Sequence, residues 1–308
     1  MPSRKIEEQL AALSELRPST DAVLAAEMLR KCLAGNMGLV VARAAKKAAE
    51  LGCRMLIPEL LNAFDRMFVN PAKVDPQCWA KNALAEALVA FDYRESAPYL
   101  RGATYVQMEA VWGASVDTAA ALRGICVLAL AACLEIPRMD LLRFYVDRFL
   151  DPDKTVRREV LRALEQMGGA DCALLLRLKA RLGDQEPEVV GQALESLLRL
   201  EPELAIAFAG EFLESPISDI RDEAALALGL AHSLAGVAVL MKAWNHFANP
   251  AILRALGLSR LPEAFDFLIE VIRSGRPRDT AAALDALKPC MDSGDLRERV
   301  ASALKPNS

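Results

Sequence analysis

The chain has 308 residues, of which 53% are hydrophobic and 25% charged, with a formal net charge of −4 and seven cysteines. That apolar content supplies a core and excludes a disordered chain, while the net acidity and a pI near 5.5 argue against the basic stripe that nucleic acid requires. Seven scattered cysteines without a CxxC pair exclude a disulfide framework and show no metal-ligand spacing.

The chain opens with "MPSRKIEEQLAALSELRPST", charged throughout and without the apolar stretch of a secretory signal, so a cytoplasmic location is expected. Its two apolar-periodic segments, Arg4 to Leu16 and Thr20 to Leu33, read as an amino-terminal helical cap over residues 1–35. "GLVVARAAKKAAELG", from Gly38, then starts a series of amphipathic helix pairs. In "NPAKVDPQCWAKN", Asn70 to Asn82, Pro71 and Pro76 end one helix and restart another, which predicts an extended turn. Trp79 aligns with Val156 of a later unit and reads as core.

Between a helix ending near Leu100 and one starting at Asp117, "RGATYVQMEAVWGASVD" has no helical period. Lengthened junctions in stacked repeats tend to share a face and to bind, and Tyr and Trp offer large contact area at low entropic cost. Tyr105, Gln107, Glu109, Trp112 and Arg123 therefore form an expected binding patch, with Lys81 and Asn82 from the preceding unit. The alternative is that Tyr105 and Trp112 fold back to seal a stack edge. The two lengthened junctions, in neighbouring units, are expected to meet in space.

From Asp117 the repeat is plain. Leu122, Cys126, Val127 and Leu130 recur 34 residues on as Val156, Val160, Leu161 and Leu164, and 33 further as Val189, Ala193, Leu194 and Leu197. Ile220, Ala224, Ala225 and Leu228 follow at 31. A single helix pair cannot bury both its apolar faces, so such units must stack. Cys126, Cys133 and Cys172 occupy apolar helical positions and read as core. The uncharged run "AALALGLAHSLAGVAVLM", Ala224 to Met241, falls in register with charged counterparts and reads as a buried helix pair, not a membrane span.

Residues 1–150 hold 18 basic and 17 acidic groups, net +1, and residues 151–308 hold 19 and 24, net −5. Between Asp184 and Glu223, 11 acidic residues face only Arg199 and Arg221. This reads either as a solvated face with acidic helix starts or as a docking surface for a basic partner. "SGDLRERVASALKPNS" ends the chain as a polar capping unit over 275–308, which predicts a monomer.

The unit "DPDKTVRREVLRALEQMGGADCALLLRLKARL", with its leading Asp-Pro and its Val156-Arg157 pair, resembles a bacterial HEAT repeat of the short, phycobilisome-lyase-like type, and the resemblance runs from Asn36 to Leu304. It implies an all-α, right-handed α-solenoid of stacked antiparallel helix pairs, one domain over 1–308, whose second helices line a concave face. It also implies a non-enzymatic scaffold for an unidentified protein partner; the net acidity and the buried reading of the uncharged run leave neither nucleic acid nor membrane expected as ligand, and no cofactor is expected. HEAT-like families include two enzymatic alternatives, bilin lyases and alkylpurine DNA glycosylases. No P-loop, GxGxxG, HExxH or GxSxG occurs, and neither His232 nor His246 stands in a nucleophile context, so no catalytic residue is nominated.

Overall fold

The computed structural model describes residues 2–274, 276–292 and 294–304; the side chains of residues 2–5 and 111 lie outside the described set. Gly275, Ser293 and residues 305–308 of the expected carboxy-terminal cap also lie outside it. Contacts divide the chain into two compact units, 1–166 and 167–308. Both are all-α HEAT-like stacks of antiparallel helix pairs, and the described residues contain only one small sheet.

The first unit runs α1 (Pro2–Glu15), α2 (Ala22–Leu33), α3 (Gly38–Glu50), α4 (Ile57–Arg66), α5 (Pro71–Val74), α6 (Trp79–Ala90) and α7 (Ser96–Ala103). A hairpin of β1 (Met108–Val111) and β2 (Ala114–Asp117) follows, then α8 (Ala120–Leu130), α9 (Arg138–Arg148) and α10 (Lys154–Met167). Here α3 packs on α6 and α6 on α8, while α2 packs on α4, so alternate helices form rows.

The second unit runs α11 (Ala170–Leu182), α12 (Pro187–Leu200), α13 (Pro202–Glu211), α14 (Ser218–Leu230) and α15 (Leu234–His246). It ends with α16 (Pro250–Ser259), α17 (Pro262–Ser274), α18 (Pro277–Leu287) and α19 (Gly294–Ala303). One row is α12, α14, α16 and α18; the other is α13, α15, α17 and α19.

The helix starts follow from local chemistry. Asp21 accepts the amides of Val23 and Leu24, each at 3.0 Å, and Asn249 accepts that of Ala251 at 3.0 Å. Pro187, Pro202 and Pro250 occupy first-turn positions whose missing N–H costs no helical bond. The positions expected to recur are buried: Leu122, Cys126, Val127 and Leu130 in α8, and Val156, Val160, Leu161 and Leu164 in α10. Cys133 and Cys172 are buried as well. The run from Ala224 to Met241 forms parts of α14 and α15, and no helix among the described residues is long and apolar enough to cross a membrane. In the same unit Gly229 lets α16 approach α14 so closely that a methyl group would overlap the Ala255 carbonyl.

A second periodic feature joins the units' openings. A cation six residues after the residue that opens a helix reaches back to it. Lys81 Nζ donates to Asp75 Oδ2 at 2.9 Å, and Arg123 Nη1 to Asp117 Oδ2 at 2.5 Å. Arg157 Nη1 donates to the Asp151 carbonyl and Arg221 Nη1 to the Ser215 carbonyl, both at 2.7 Å. Each clamp secures the loop that enters the helix and supplies a donor to an acceptor that would otherwise be shielded from water.

Candidate functional site

The two lengthened junctions of the first unit meet. Asp75 is fully buried; its carboxylate accepts the amides of Ala80 (2.7 Å) and Lys81 (3.0 Å) as well as the Lys81 ammonium. Lys81 Nζ also donates to the Met67 carbonyl at 3.1 Å and lies 5.4 and 5.5 Å from the ring centroids of Phe68 and Tyr105. Gln107 spans the gap, its Nε2 donating to the Asp75 carbonyl at 3.0 Å while its Oε1 accepts the Tyr105 hydroxyl at 3.1 Å. Arg123 closes the assembly. It donates to Asp151 through Nε and Nη2 and to the Tyr105 carbonyl and Asp117 through Nη1.

These bonds hold the hairpin, whose strands pair Glu109 with Val116 and turn through Trp112 and Gly113, the latter at φ 83°. Cross-strand partners share a face, and Glu109 and Val116 line one cavity together with Trp79. Glu109 Oε1 accepts three hydrogen bonds, from the Gln77 amide (2.6 Å), Gln107 Nε2 (2.6 Å) and Thr118 Oγ1 (2.9 Å). Burial pushes the Glu109 carboxyl up, but these donors and the Lys81 charge outweigh it and hold the group below the ordinary carboxylate range. Asp117 is likewise lowered: burial acts against it, and the amides of Ala119 and Gln107 and the Arg123 guanidinium prevail. Burial pushes the neighbouring Cys78 thiol up to about 11.

The expected patch residues therefore lie together but divide into two kinds. Lys81, Gln107 and Arg123 are buried, so in place of the ligand contacts expected of them they brace the hairpin from behind. Tyr105 folds in, edge-on to Phe68 at 4.7 Å. Trp112 does not fold back; at 106% relative exposure it stands free at the turn. Asn82 and Glu109 line the cavity. Trp79 is corrected from core to surface: it is 49% exposed. Counting from the Asp-Pro openings, Trp79 matches Thr155, and Ala80 is the residue that matches buried Val156. An alignment on Asp75-Pro76 and Asp151-Pro152 carries that register in the sequence, whereas matching apolar residues alone shifts it by one.

Trp79 lines two of three neighbouring cavities that share residues and together form a trough. On one side a cavity of about 410 Å³ is lined by Leu39, Arg43 and Lys46 of α3 and by Trp79, Asn82 and Glu86 of α6. The cavity under the hairpin, about 390 Å³, shares Trp79 and Asn82 with it. A third, about 730 Å³, shares Ala121 with the second and Glu86 with the first, and continues over Ile125 and Leu128 of α8 to Glu159 and Arg162 of α10. Its apolar lining combines small and aliphatic side chains with Tyr93 and Tyr99. Gly124 gives Glu159 room, since a methyl group there would come within 3.2 Å of the Glu159 Cγ. The rim carries Glu86, Asp92 and a Glu159–Arg162 pair at 2.9 Å.

Elsewhere, the acidic residues between Asp184 and Glu223 are partly neutralised locally, Asp184 by Lys179 at 2.7 Å and Glu211 by Arg181 at 2.7 Å. Among the described residues no group of three or more His, Cys, Asp or Glu side chains is placed to hold a metal ion.

No family model matches the chain, and no curated protein matches it. Among solved structures it is similar to human deoxyhypusine hydroxylase in complex with glycerol, at 15% identity and a TM-score of 0.30, over 94% of this chain and 99% of that one. That neighbour is an enzyme, and the expectations of a non-enzymatic scaffold and of no catalysis are withdrawn. At this level of likeness no reaction, substrate or residue role passes from it to this chain.

Proposed function

We propose that the first unit binds a segment of a partner protein along the trough formed by α3, α6, α8 and α10. The observation that carries this reading is a row of three neighbouring cavities that share lining residues pairwise, with the half-exposed Trp79 lining two of them. An apolar floor with convergent polar groups at its edge is the usual form of a site for an amphipathic segment. Leu39, Val89 and Val116 are each nearly half exposed along it and offer apolar area to such a ligand. Asp92 and Glu159 are paired with Arg94 and Arg162, but the carboxylates of Glu86 and Glu109 favour a segment whose polar side is basic over α6 to α8 and disfavour a phosphate backbone there. We keep within this proposal a kinship with phycobilisome-lyase-like repeats, supported by the Asp151-Pro152 opening and the Val156-Arg157 pair.

The test is selection of random 16-residue peptides on the immobilised full-length protein, followed by titration against Ala121→Arg and Ile125→Arg. Both substitutions place a long charged side chain in the trough from partly exposed positions. The expected result is enrichment of apolar, basic peptides whose affinity falls at least about tenfold in the variants while melting temperature is kept, the loss expected when a central apolar contact is blocked. Peptides that bind the variants as well as the parent would remove the trough from consideration.

A further inference from the structure

The middle cavity of the trough has a more specific chemistry than its neighbours. We propose that it receives a cationic side chain, the ammonium of a lysine or the guanidinium of an arginine, held between the Trp79 ring and the Glu109 carboxylate. The inference rests on the trough reading and names what its central subsite takes.

Three observations converge on this small space. Trp79 is half exposed on the wall, and an indole face attracts cations through its quadrupole, most strongly where the site is partly desolvated. Glu109 lines the same cavity, fixed by three donors that all reach Oε1; among the described residues Oε2 accepts no hydrogen bond. The carboxylate is thus oriented with one oxygen left for a ligand, and its lowered pKa keeps it ionised at neutral pH. The third is Asn82, whose amide adds a neutral polar group to the lining of the same cavity.

Three cations of the chain lie close by: Arg43 and Lys46 line the adjoining cavity that shares Trp79 and Asn82, while Lys81 is fully buried, paired with Asp75 and not among the residues lining this cavity. Gln77 and Thr118 complete the lining and are neutral. A lysine or arginine chain suits the shape, because its alkyl stem can lie along Val116 and Ala121 while its charged end meets the carboxylate.

The experiment uses the full chain carrying Trp112→Phe and Trp244→Phe, which leaves Trp79 as its sole tryptophan. The probes are n-butylammonium chloride, n-butylguanidinium chloride and 1-butanol, titrated at matched ionic strength and followed by the Trp79 indole resonance in ¹H–¹⁵N spectra. The expected result is a saturable shift with both cations and none with butanol over the same range, weakened about fivefold or more by Glu109→Gln. Equal responses to butanol and butylammonium, or an unchanged cation affinity in Glu109→Gln, would overturn the proposal. If Glu109→Gln lowers the melting temperature sharply, Trp79→Leu read at the Ala121 amide replaces it, with the same two outcomes. Peptides that occupy the trough without cation selectivity at Trp79 would sink this inference alone. Cation binding without peptide binding would instead sink the partner reading.

Discussion

Arg123 and Asp151 form a two-point ion pair across a repeat junction, Nε to Oδ2 at 2.9 Å and Nη2 to Oδ1 at 3.0 Å, with both side chains almost wholly buried. The same guanidinium binds the Tyr105 carbonyl and Asp117, so a single residue ties α8 to the loop before α10 and to the hairpin. Arg123→Met leaves Asp151 charged and shielded from water. The expected cost is about 3–5 kcal/mol, the range for breaking one side of a buried pair. Urea denaturation checks it, and amide exchange in β1 and β2 is expected to quicken beyond the global change. A loss under about 1 kcal/mol would show that the pair is not what holds the junction.

Acid is expected to release the hairpin first. Asp117 has a folded-state pKa below its ordinary value, so its contribution is present above the unfolded pKa of about 3.9 and is lost as pH falls through the folded value. Glu109 has the same sign. Melting temperatures measured from pH 6 down to pH 2 should therefore drop more steeply for the parent than for Asp117→Asn, whose side chain does not titrate. Parallel curves would exclude Asp117 as a source of the acid sensitivity.

The two aromatic residues of the lengthened junction are expected to separate on substitution. Trp112→Ser removes a side chain that is fully in solvent and should change stability by less than about 0.5 kcal/mol. Tyr105→Ala removes the edge contact with Phe68, the hydroxyl bond to Gln107 and a ring near the Lys81 ammonium, and should cost about 2–4 kcal/mol. Thermal unfolding of the two single variants decides it. Equal losses would mean that Trp112 packs in solution.

Glycine at position 229 serves packing, not backbone freedom. Gly229→Ala gains about 1 kcal/mol of helix propensity but forces α14 and α16 apart at the Ala255 carbonyl, and a net loss of about 1–3 kcal/mol is expected. Gly294→Ala, where an added methyl meets nothing within 4 Å, should be neutral or slightly stabilising. Chemical denaturation of both variants gives the comparison, and a stabilised Gly229→Ala would mean that the helices can slide to accept the methyl.

Much of the fold was legible because it is repetitive and local. Val156, Val160, Leu161 and Leu164 recur at nearly constant offsets, and an amphipathic helix pair has only one way to bury such positions, by stacking on its neighbours. The cysteines, the uncharged run from Ala224 and the lengthened junction at residues 101–117 were readable for the same reason. The hairpin was less so. "MEAVWGASVD" carries a weak alternation, and its pairing is secured by Asp75, Gln107 and Arg123, which come from outside the strands.

What the sequence by itself determined is the helical repeat, the positions of its core and the place where the repeat is lengthened. What only the tertiary structure decided is which side of that feature faces solvent. Lys81, Gln107 and Arg123 are polar residues of the kind expected at a binding surface, yet they are buried because each finds partners for its donors within the packed junction. Trp79, of the kind expected in a core, is a case the sequence itself could settle: the Asp75-Pro76 register pairs it with Thr155, and it lies half exposed at the start of α6. Burial is set by whether a group's partners lie within reach after the helices stack, and those partners are up to 32 residues away in the chain.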